Sequence, residues 1–413
     1  MQTKLTDIIK ATREGLEAES ILRKCVHCGF CNATCPTYQL LGDELDGPRG
    51  RIYLMKQVLE GQPATQNTLL HLDRCLTCRN CETTCPSGVE YGKLVDIGRH
   101  LVEQQVPRRP AQMLQRKLLT TVLPRKWLFT PLLRTGQVMR SVLPKKLADK
   151  VPAYQAASAW PTRQHNKKMI VLEGCVQPGI SPNINAATAR VLDKLEIQLI
   201  TASNAGCCGA LRAHLNEANA AMADAKRNID AWWPLLESGS DASGAQALVM
   251  TASGCGTMVK EYGQLLAHDS AYAYKAKRIS AATFDISEII FDHADQLAKS
   301  ARKTGEKKNI AYHAPCSLQH AQKITGTVEH ILEMAGIPVS RCTDSHLCCG
   351  SAGTYSILQP QLSTTLRDQK LHNLHATGAE QIVSANIGCI THLQSGTATP
   401  VMHWIELLDQ VLR

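Results

Sequence analysis

The sequence predicts an α+β multidomain chain, with an all-α N-terminal unit followed by a duplicated α/β unit. Three observations carry that expectation. Eight of the 17 cysteines fall in two runs of one spacing, Cys25, Cys28, Cys31 and Cys35 before Pro36, then Cys75, Cys78, Cys81 and Cys85 before Pro86. From Lys168 onward a pattern of apolar strand, lone cysteine, helix and cysteine pair occurs twice. Between the two regions lies a stretch crowded with arginine and lysine.

The run C-x2-C-x2-C-x3-C-P, written twice, is the pattern of a ferredoxin-like domain with two [4Fe–4S] clusters. Three thiolates two residues apart lie on one tight turn, close enough to hold three corners of a cubane. The fourth stands further out, and in two-cluster ferredoxins it serves the other cluster. This assigns Cys25, Cys28, Cys31 and Cys85 to one cluster and Cys75, Cys78, Cys81 and Cys35 to the second. Structural zinc is disfavoured, because zinc sites use C-x2-C pairs rather than runs of four. Between the runs, Gly42 to Arg51 reads as a glycine-rich loop and Ile52 to Leu59 as a helix. Arg49 and Arg51 either bring positive charge to a cluster or pair with Asp43, Glu44 and Asp46, the second being the safer reading. Residues 1–105 are expected to be a small helical domain built around metal.

The N-terminal twenty residues show no secretion signal, and no stretch approaches the apolar length of a spanning helix. Cysteine abundance without export implies a reducing, cytoplasmic setting, where these residues are ligands or free thiols. From Val106 to Lys168 there are fourteen basic residues and one acidic, Asp149, so this segment exceeds the whole chain's net charge of +9 and the remainder is acidic. Basic pairs (Arg108–Arg109, Arg116–Lys117, Arg125–Lys126, Lys145–Lys146) alternate with leucines, Trp127 and Phe129. Residues 106–167 therefore read either as a basic amphipathic surface for anionic lipid or an acidic partner, or as a linker packing its leucines on its own domain. Prolines 107, 110, 124, 131 and 144 are expected to cut it into short helices. Nothing suggests nucleic-acid binding, since aromatic residues are sparse and no groove-reading motif occurs.

Two repeats are expected at 168–300 and 301–413. The first runs from Met169 through Cys175, a helix Ala186 to Leu195, and Cys207-Cys208-Gly209. The second runs from Asn309 through Cys316, a helix Val328 to Met334, and Cys348-Cys349-Gly350. The lone cysteine precedes the pair by 32 positions in both. Later strands lead to Cys255 and Cys389. Short apolar runs that pass through small residues into helices indicate parallel α/β units, whose sites lie beyond the carboxyl ends of the strands. Four cysteine-bearing junctions are expected to converge on one edge, with the two lobes related by a pseudo-twofold axis.

The stretches KCVHCGFCNATCPTYQLLGDELDGPRGRIYLMKQVLEG, DRCLTCRNCETTCPSGV, EGCVQPGISPNINAATARVL with GCCGA, RNIDAWWP, TASGCG and DSHLCCGSAGTY together resemble the iron–sulfur subunit of glycolate oxidase, over essentially the whole chain. The layout is also similar to the C subunit of anaerobic glycerol-3-phosphate dehydrogenase and to the cysteine-rich (CCG) halves of heterodisulfide reductase. The resemblance implies FAD-binding sister subunits that oxidise glycolate to glyoxylate. It further implies that this subunit passes electrons onward to a quinone or other acceptor, with peripheral contact at the inner membrane. The chain has no dinucleotide fingerprint, so no FAD is expected in it.

In heterodisulfide reductase the repeat ends in C-x2-C and wraps a non-cubane cluster with five thiolates. Here Met258 and His392 stand where the fifth would be. That leaves Cys175, Cys207, Cys208 and Cys255 in one repeat and Cys316, Cys348, Cys349 and Cys389 in the other. These sets suit a further Fe–S cluster, a zinc ion, or plain thiol packing. His313, His346, His392 and Cys342 lie nearby in sequence. Three functions follow: an electron-transfer subunit of a 2-hydroxy-acid or glycerol-3-phosphate dehydrogenase, a thiol- or disulfide-reducing enzyme acting at the CCG sites, or a redox-silent adaptor. No catalytic residue is expected in the first.

Overall fold

The computed structural model describes residues 1–144, 148, 151–237, 244–300 and 308–412. The N-terminal region is helical, with no strand among its described residues. The helix Arg13–Lys24 starts at Thr12, whose hydroxyl accepts the Gly15 N–H at 3.1 Å, and buries Ala18, Ile21 and Leu22. The helix expected at Ile52 begins earlier, as Pro48–Leu59, because Pro48 occupies the first turn, where no amide donor is needed. With Gln66–Asp73 and Tyr91–Gln105 it closes a core of Ile52, Met55, Leu72, Leu94 and Val95, into which Cys25, Cys75 and Cys81 are also packed.

The basic segment forms two helices, Pro110–Val122 and Lys126–Val138. Pro110 starts the first, but Pro131 sits inside the second without ending it, contrary to the expected break. Some leucines of this segment are packed, as a linker would require, with Leu123, Leu128 and Leu133 half-buried, and others are not. Leu119 is buried, whereas Leu114 is 72% exposed and Trp127 73%. Several of the cations are already paired: Arg108 with Asp73 and Glu103, Arg116 with Asp73, Lys117 with Glu217 and Lys126 with Glu173. The Lys145–Lys146 pair and Asp149 lie outside the described residues, as does the stretch 301–307 at the expected boundary between repeats.

Each repeat is a four-stranded parallel sheet. In the first, β1 (Lys167–Val171), β2 (Ile197–Thr201), β3 (Ala245–Met250) and β4 (Thr283–Asp285) lie in the order β2-β1-β3-β4. In the second, β5 (Ile310–His313), β6 (Val339–Arg341), β7 (Gln381–Ser384) and β8 (Val401–His403) lie in the order β6-β5-β7-β8. The two topologies are identical, as duplication requires. The cysteine-bearing junctions, however, lie on two sheet edges rather than the single edge expected, one row per repeat.

The lobes are joined by reciprocal helix packing. Asn183–Asp193, which follows β1, lies against Trp404–Leu412, which follows β8. Ile286–Phe291, which follows β4, lies against Thr327–Met334, which follows β5. Helices of equivalent position are thus exchanged across a pseudo-twofold axis, and one apolar core, including Ile184, Val191, Ile331, Trp404 and Leu408, runs through both lobes. Buried polar contacts fix the register of the seam. Arg190 pairs with Asp409 at 2.7 Å, and the Ser253 and Ser317 hydroxyls meet at 2.8 Å.

His403, fully buried at this seam, donates from Nε2 to the Thr251 carbonyl at 2.9 Å and accepts the Ile405 N–H at Nδ1. Both ring nitrogens are used, in a neutral tautomer, and burial holds the folded value at about 3. The unfolded chain takes up the proton near its ordinary value of about 6.5. Stability is therefore fully present above about 6.5 and drains as pH falls toward 3. Urea midpoints should fall between pH 7.5 and 5.5, and His403→Gln should flatten that slope.

Candidate metal centres

The two N-terminal cysteine runs have one backbone shape. His27 and Gly29 in the first, and Thr77 and Arg79 in the second, occupy matching positions and all have positive φ. For Thr77, β-branched with φ 53°, this is a strained conformation, held by Arg99, which donates to the Thr77 hydroxyl at 2.9 Å. The turn aims the Thr77 N–H at the Cys75 sulfur, 3.4 Å away.

Each run folds its first three thiols inward and sends the fourth across to its partner. Cys25, Cys28, Cys31 and Cys85 line one cavity together with Ile52, Pro86 and Val89. Cys35, Cys75, Cys78 and Cys81 line a second, with Leu76, Arg51 and Tyr91. Cys81 also borders the first cavity, so the two adjoin. All eight are free thiols. Desolvation, and then the neighbouring Cys25, pushes the Cys31 thiol up to about 11, and burial raises Cys78 and Cys81 well above their ordinary values. Thiols crowded this closely without a cation prefer to stay protonated, and a bound cationic core reverses that preference.

The cavities differ in surroundings. The first reaches the surface, where Cys28 is exposed beside Val26 and Phe30, each more than 60% exposed. The second is lined mostly by buried residues. Arg51, 1% exposed, donates to the His71 carbonyl at 2.8 Å and to Thr37 at 3.1 Å, and its Nη1 lies 4.0 Å from the Cys35 sulfur. Arg99 donates to the Cys75 carbonyl at 2.7 Å, and the Tyr91 hydroxyl points at the Cys75 sulfur. Arg51 also pairs with buried Asp46, as does Arg74, and Arg49 pairs with Glu44. Both sequence readings of Arg51 are therefore realised together. Two guanidiniums, Arg51 and Arg74, share the one buried carboxylate of Asp46, which leaves positive charge beside the second cavity and suits an anionic group. Four thiols converging from the two runs on each cavity, with an inward N–H and surplus cations at the second, fit a [4Fe–4S] group in each.

In the repeats, the thiols follow the carboxyl ends of the strands: Cys175 after β1, Cys207 and Cys208 after β2, and Cys255 after β3. They form a hydrogen-bonded row from Cys175 through Cys207 and Cys208 to Cys255. Cys207, bonded by both neighbours' thiols, is held well below its ordinary value, while Cys208 is raised. Cys316, Cys348, Cys349 and Cys389 form the matching row in the second repeat. Of the nearby residues, His313 joins this row. His392 bonds Ser363 instead, and Cys342 packs in the apolar core. His346 offers its carbonyl to His320 and Asn80. The second row abuts the second N-terminal cavity, because Cys316 and Cys348 share an apolar cluster with Leu76 and Tyr355, against which Cys78 packs. Sequence reading missed this adjacency, as it arises from side chains 238 or more residues apart.

An iron–sulfur dicluster protein fused to a duplicated cysteine-rich domain is the class these features define. Residues 21–89 match the 4Fe-4S dicluster domain, and residues 169–260 and 310–394 each match the cysteine-rich domain. The chain is 54% identical over 413 residues to the glycolate oxidase iron-sulfur subunit of Escherichia coli K12, covering 100% of this chain and 99% of that protein. It belongs to the glycolate oxidase iron–sulfur subunit family. It is 28% identical over 407 residues to the probable glycolate oxidase iron-sulfur subunit of Bacillus subtilis, covering 92% and 89% of the two chains. It is also 25% identical over 246 residues to lactate utilization protein A of Bacillus pumilus, covering 57% of this chain and 96% of that protein.

The glycine of each Cys-Cys-Gly triplet has a steric cause. Gly209 and Gly350 have φ of +90° and +86°, and their N–H groups bond the sulfur of the first cysteine of the pair, each at 3.4 Å. A Cβ at Gly350 would come within 2.5 Å of the Ser363 carbonyl oxygen. Gly350→Ala should destabilise the second repeat by about 1–3 kcal/mol, seen as a lower urea midpoint. Alanine at Gly42, whose Cβ would meet nothing within 4 Å, should cost less.

Proposed function

We propose that this chain is the electron-relay subunit of a multi-subunit glycolate oxidase. Sister subunits bearing FAD oxidise glycolate to glyoxylate, and this chain carries the electrons onward toward a membrane quinone. Cys25, Cys28, Cys31 and Cys85 hold one [4Fe–4S] cluster, and Cys75, Cys78, Cys81 and Cys35 hold the second. When bound, such groups accept and return single electrons, which suits a two-electron flavin donor. The repeat thiols provide a further metal site. The observation that carries this reading is the pair of adjoining thiol-lined cavities, one open at Cys28 and the other set against Cys316 and Cys348. The chain's own residues position the sulfurs, exclude water from the inner cavity and set the local charge.

No helix among the described residues is long and apolar enough to cross a membrane. The exposed Leu114, Leu118 and Trp127 support a peripheral contact at the inner membrane, with Arg109, unlike Arg108 and Arg116, in no ion pair among the described residues. A second reading, reduction of a thiol or disulfide at the repeats, is favoured by one observation. A cavity of about 610 Å³, lined by Leu40, Leu347, Lys370 and Asn373, reaches Cys348. Cys207→Ser with Cys348→Ser would abolish such an activity while leaving the N-terminal clusters in place.

Protein isolated without oxygen should carry at least about eight irons per chain, counting four per cluster. Dithionite reduction should give interacting S = 1/2 signals in low-temperature EPR. Colourless, iron-free protein, or glycolate oxidation by this chain alone, would end the proposal.

Arg51→Gln should make the second cluster harder to reduce, because it removes a buried positive charge beside Cys35. In potentiometric EPR its reduced-to-oxidised ratio at fixed potential should drop at least about tenfold, equivalent to about 59 mV. The signal from the Cys28 cluster should stay in place.

A further inference from the structure

The row of thiols in the second repeat contains a nitrogen ligand that the first lacks. His313, the last residue of β5, is 1% exposed, and its Nδ1 lies 3.0 Å from the Ser384 hydroxyl at the end of β7. Its Nε2 is buried with no hydrogen-bond partner. A buried imidazole nitrogen left unbonded costs about 1–3 kcal/mol, so such an atom calls for an explanation. His313, Cys349 and Cys389 each present a ligand atom, and these atoms lie within 4.8 Å of one another. Ligands of a tetrahedral zinc ion at about 2.0–2.3 Å stand roughly 3.3–3.8 Å apart, so a small contraction completes the geometry. The equivalent position in the first repeat is Leu172, which offers no ligand.

We propose that His313, Cys349 and Cys389 bind a single zinc ion, with the fourth position available to Cys348. The site does not depend on the N-terminal clusters, and of the functional proposal it uses only the reading of the repeat thiols as metal ligands.

The surroundings are those of a ligated site. A metal-bound histidine characteristically engages its other ring nitrogen with a neighbour, which fixes the tautomer, and Ser384 occupies that place here. Asn386 donates to the Cys389 sulfur at 3.5 Å, and the Gly350 N–H donates to that of Cys348 at 3.4 Å. Lys370, 3% exposed, hydrogen-bonds the Asp344 carbonyl at 2.5 Å and pairs with no carboxylate among the described residues. A buried ammonium of this kind supplies the counter-charge for a zinc ion carrying three thiolates. The 610 Å³ cavity that ends at Cys348 and Lys370 gives the ion a way in.

The test is elemental analysis of full-length chain isolated without oxygen, combined with zinc-edge X-ray absorption. The expected result is about one zinc per chain, with one nitrogen and the rest sulfur in its first coordination shell. His313→Ala and Cys389→Ser should each lower zinc at least tenfold without loss of iron. The proposal is overturned by wild-type protein without zinc, by an all-sulfur shell, by about four irons beyond the N-terminal complement in place of zinc, or by zinc retained in both variants. If a variant does not fold, the wild-type absorption spectrum decides alone. Full zinc with iron missing would instead defeat the electron-relay reading and leave this site standing.

Discussion

The N-terminal domain of this protein depends on a crossing. Cys35 leaves its own run to stand with Cys75, Cys78 and Cys81, and Cys85 returns to stand with Cys25, Cys28 and Cys31. Neither cavity can be assembled from one run alone, so the segment between them, Pro36 to Arg74, must fold back with fixed length and direction. The buried Asp46 enforces this. It gathers Arg51, His71 and Arg74 from two helices and the loop before Cys75, tying the chain between the runs to both of them. A metal bound at these thiols would couple to folding in this region, since thiols brought so close gain their compensation only when a cation is present.

Charge also joins the parts of the molecule. Arg79, beside the second run, forms an ion pair with Glu261 of the first repeat, and the Tyr355 hydroxyl of the second repeat donates to the Arg74 carbonyl at 3.0 Å. Asn80 donates to the His346 carbonyl. The second cavity is thus walled on one side by the repeats, which keeps water out and lowers the local dielectric around Arg51 and Arg99. In that setting a single guanidinium has far more influence than it would at the surface. The basic segment, which the sequence left open as a charged surface or a packed linker, spends much of its charge on Asp73, Glu103, Glu217 and Glu173.

Much of this architecture was legible in the sequence because thiol chemistry writes its spacing into the chain. The two C-x2-C-x2-C-x3-C-P runs predicted which thiols would share a cavity, and the 32-residue interval predicted the duplicated lobes. Strands β1, β3, β5 and β7 announced themselves as apolar runs ending in cysteine. Strands β4, β6 and β8 did not, since three residues are too few to show a period of two. Pro131 misled because a proline within a helix weakens it without always ending it. The partnership of His313 with Cys349 and Cys389 was invisible, because a histidine's unused nitrogen is a property of its surroundings and not of its neighbours in sequence. The same holds for the cations of the basic segment, whose partners come from two helices and two loops elsewhere in the chain.

The opening at Cys28 has a consequence for how the protein fails. Dioxygen and peroxides reach an iron–sulfur site through whatever gap its walls leave, and here one cavity borders the exposed Val26 and Phe30 while the other is walled mostly by buried residues such as Leu76 and Arg51. Oxidative damage should therefore be sequential, beginning at the outer site. A partner subunit seated over Val26 and Phe30 would then act as a shield as well as an electrical contact.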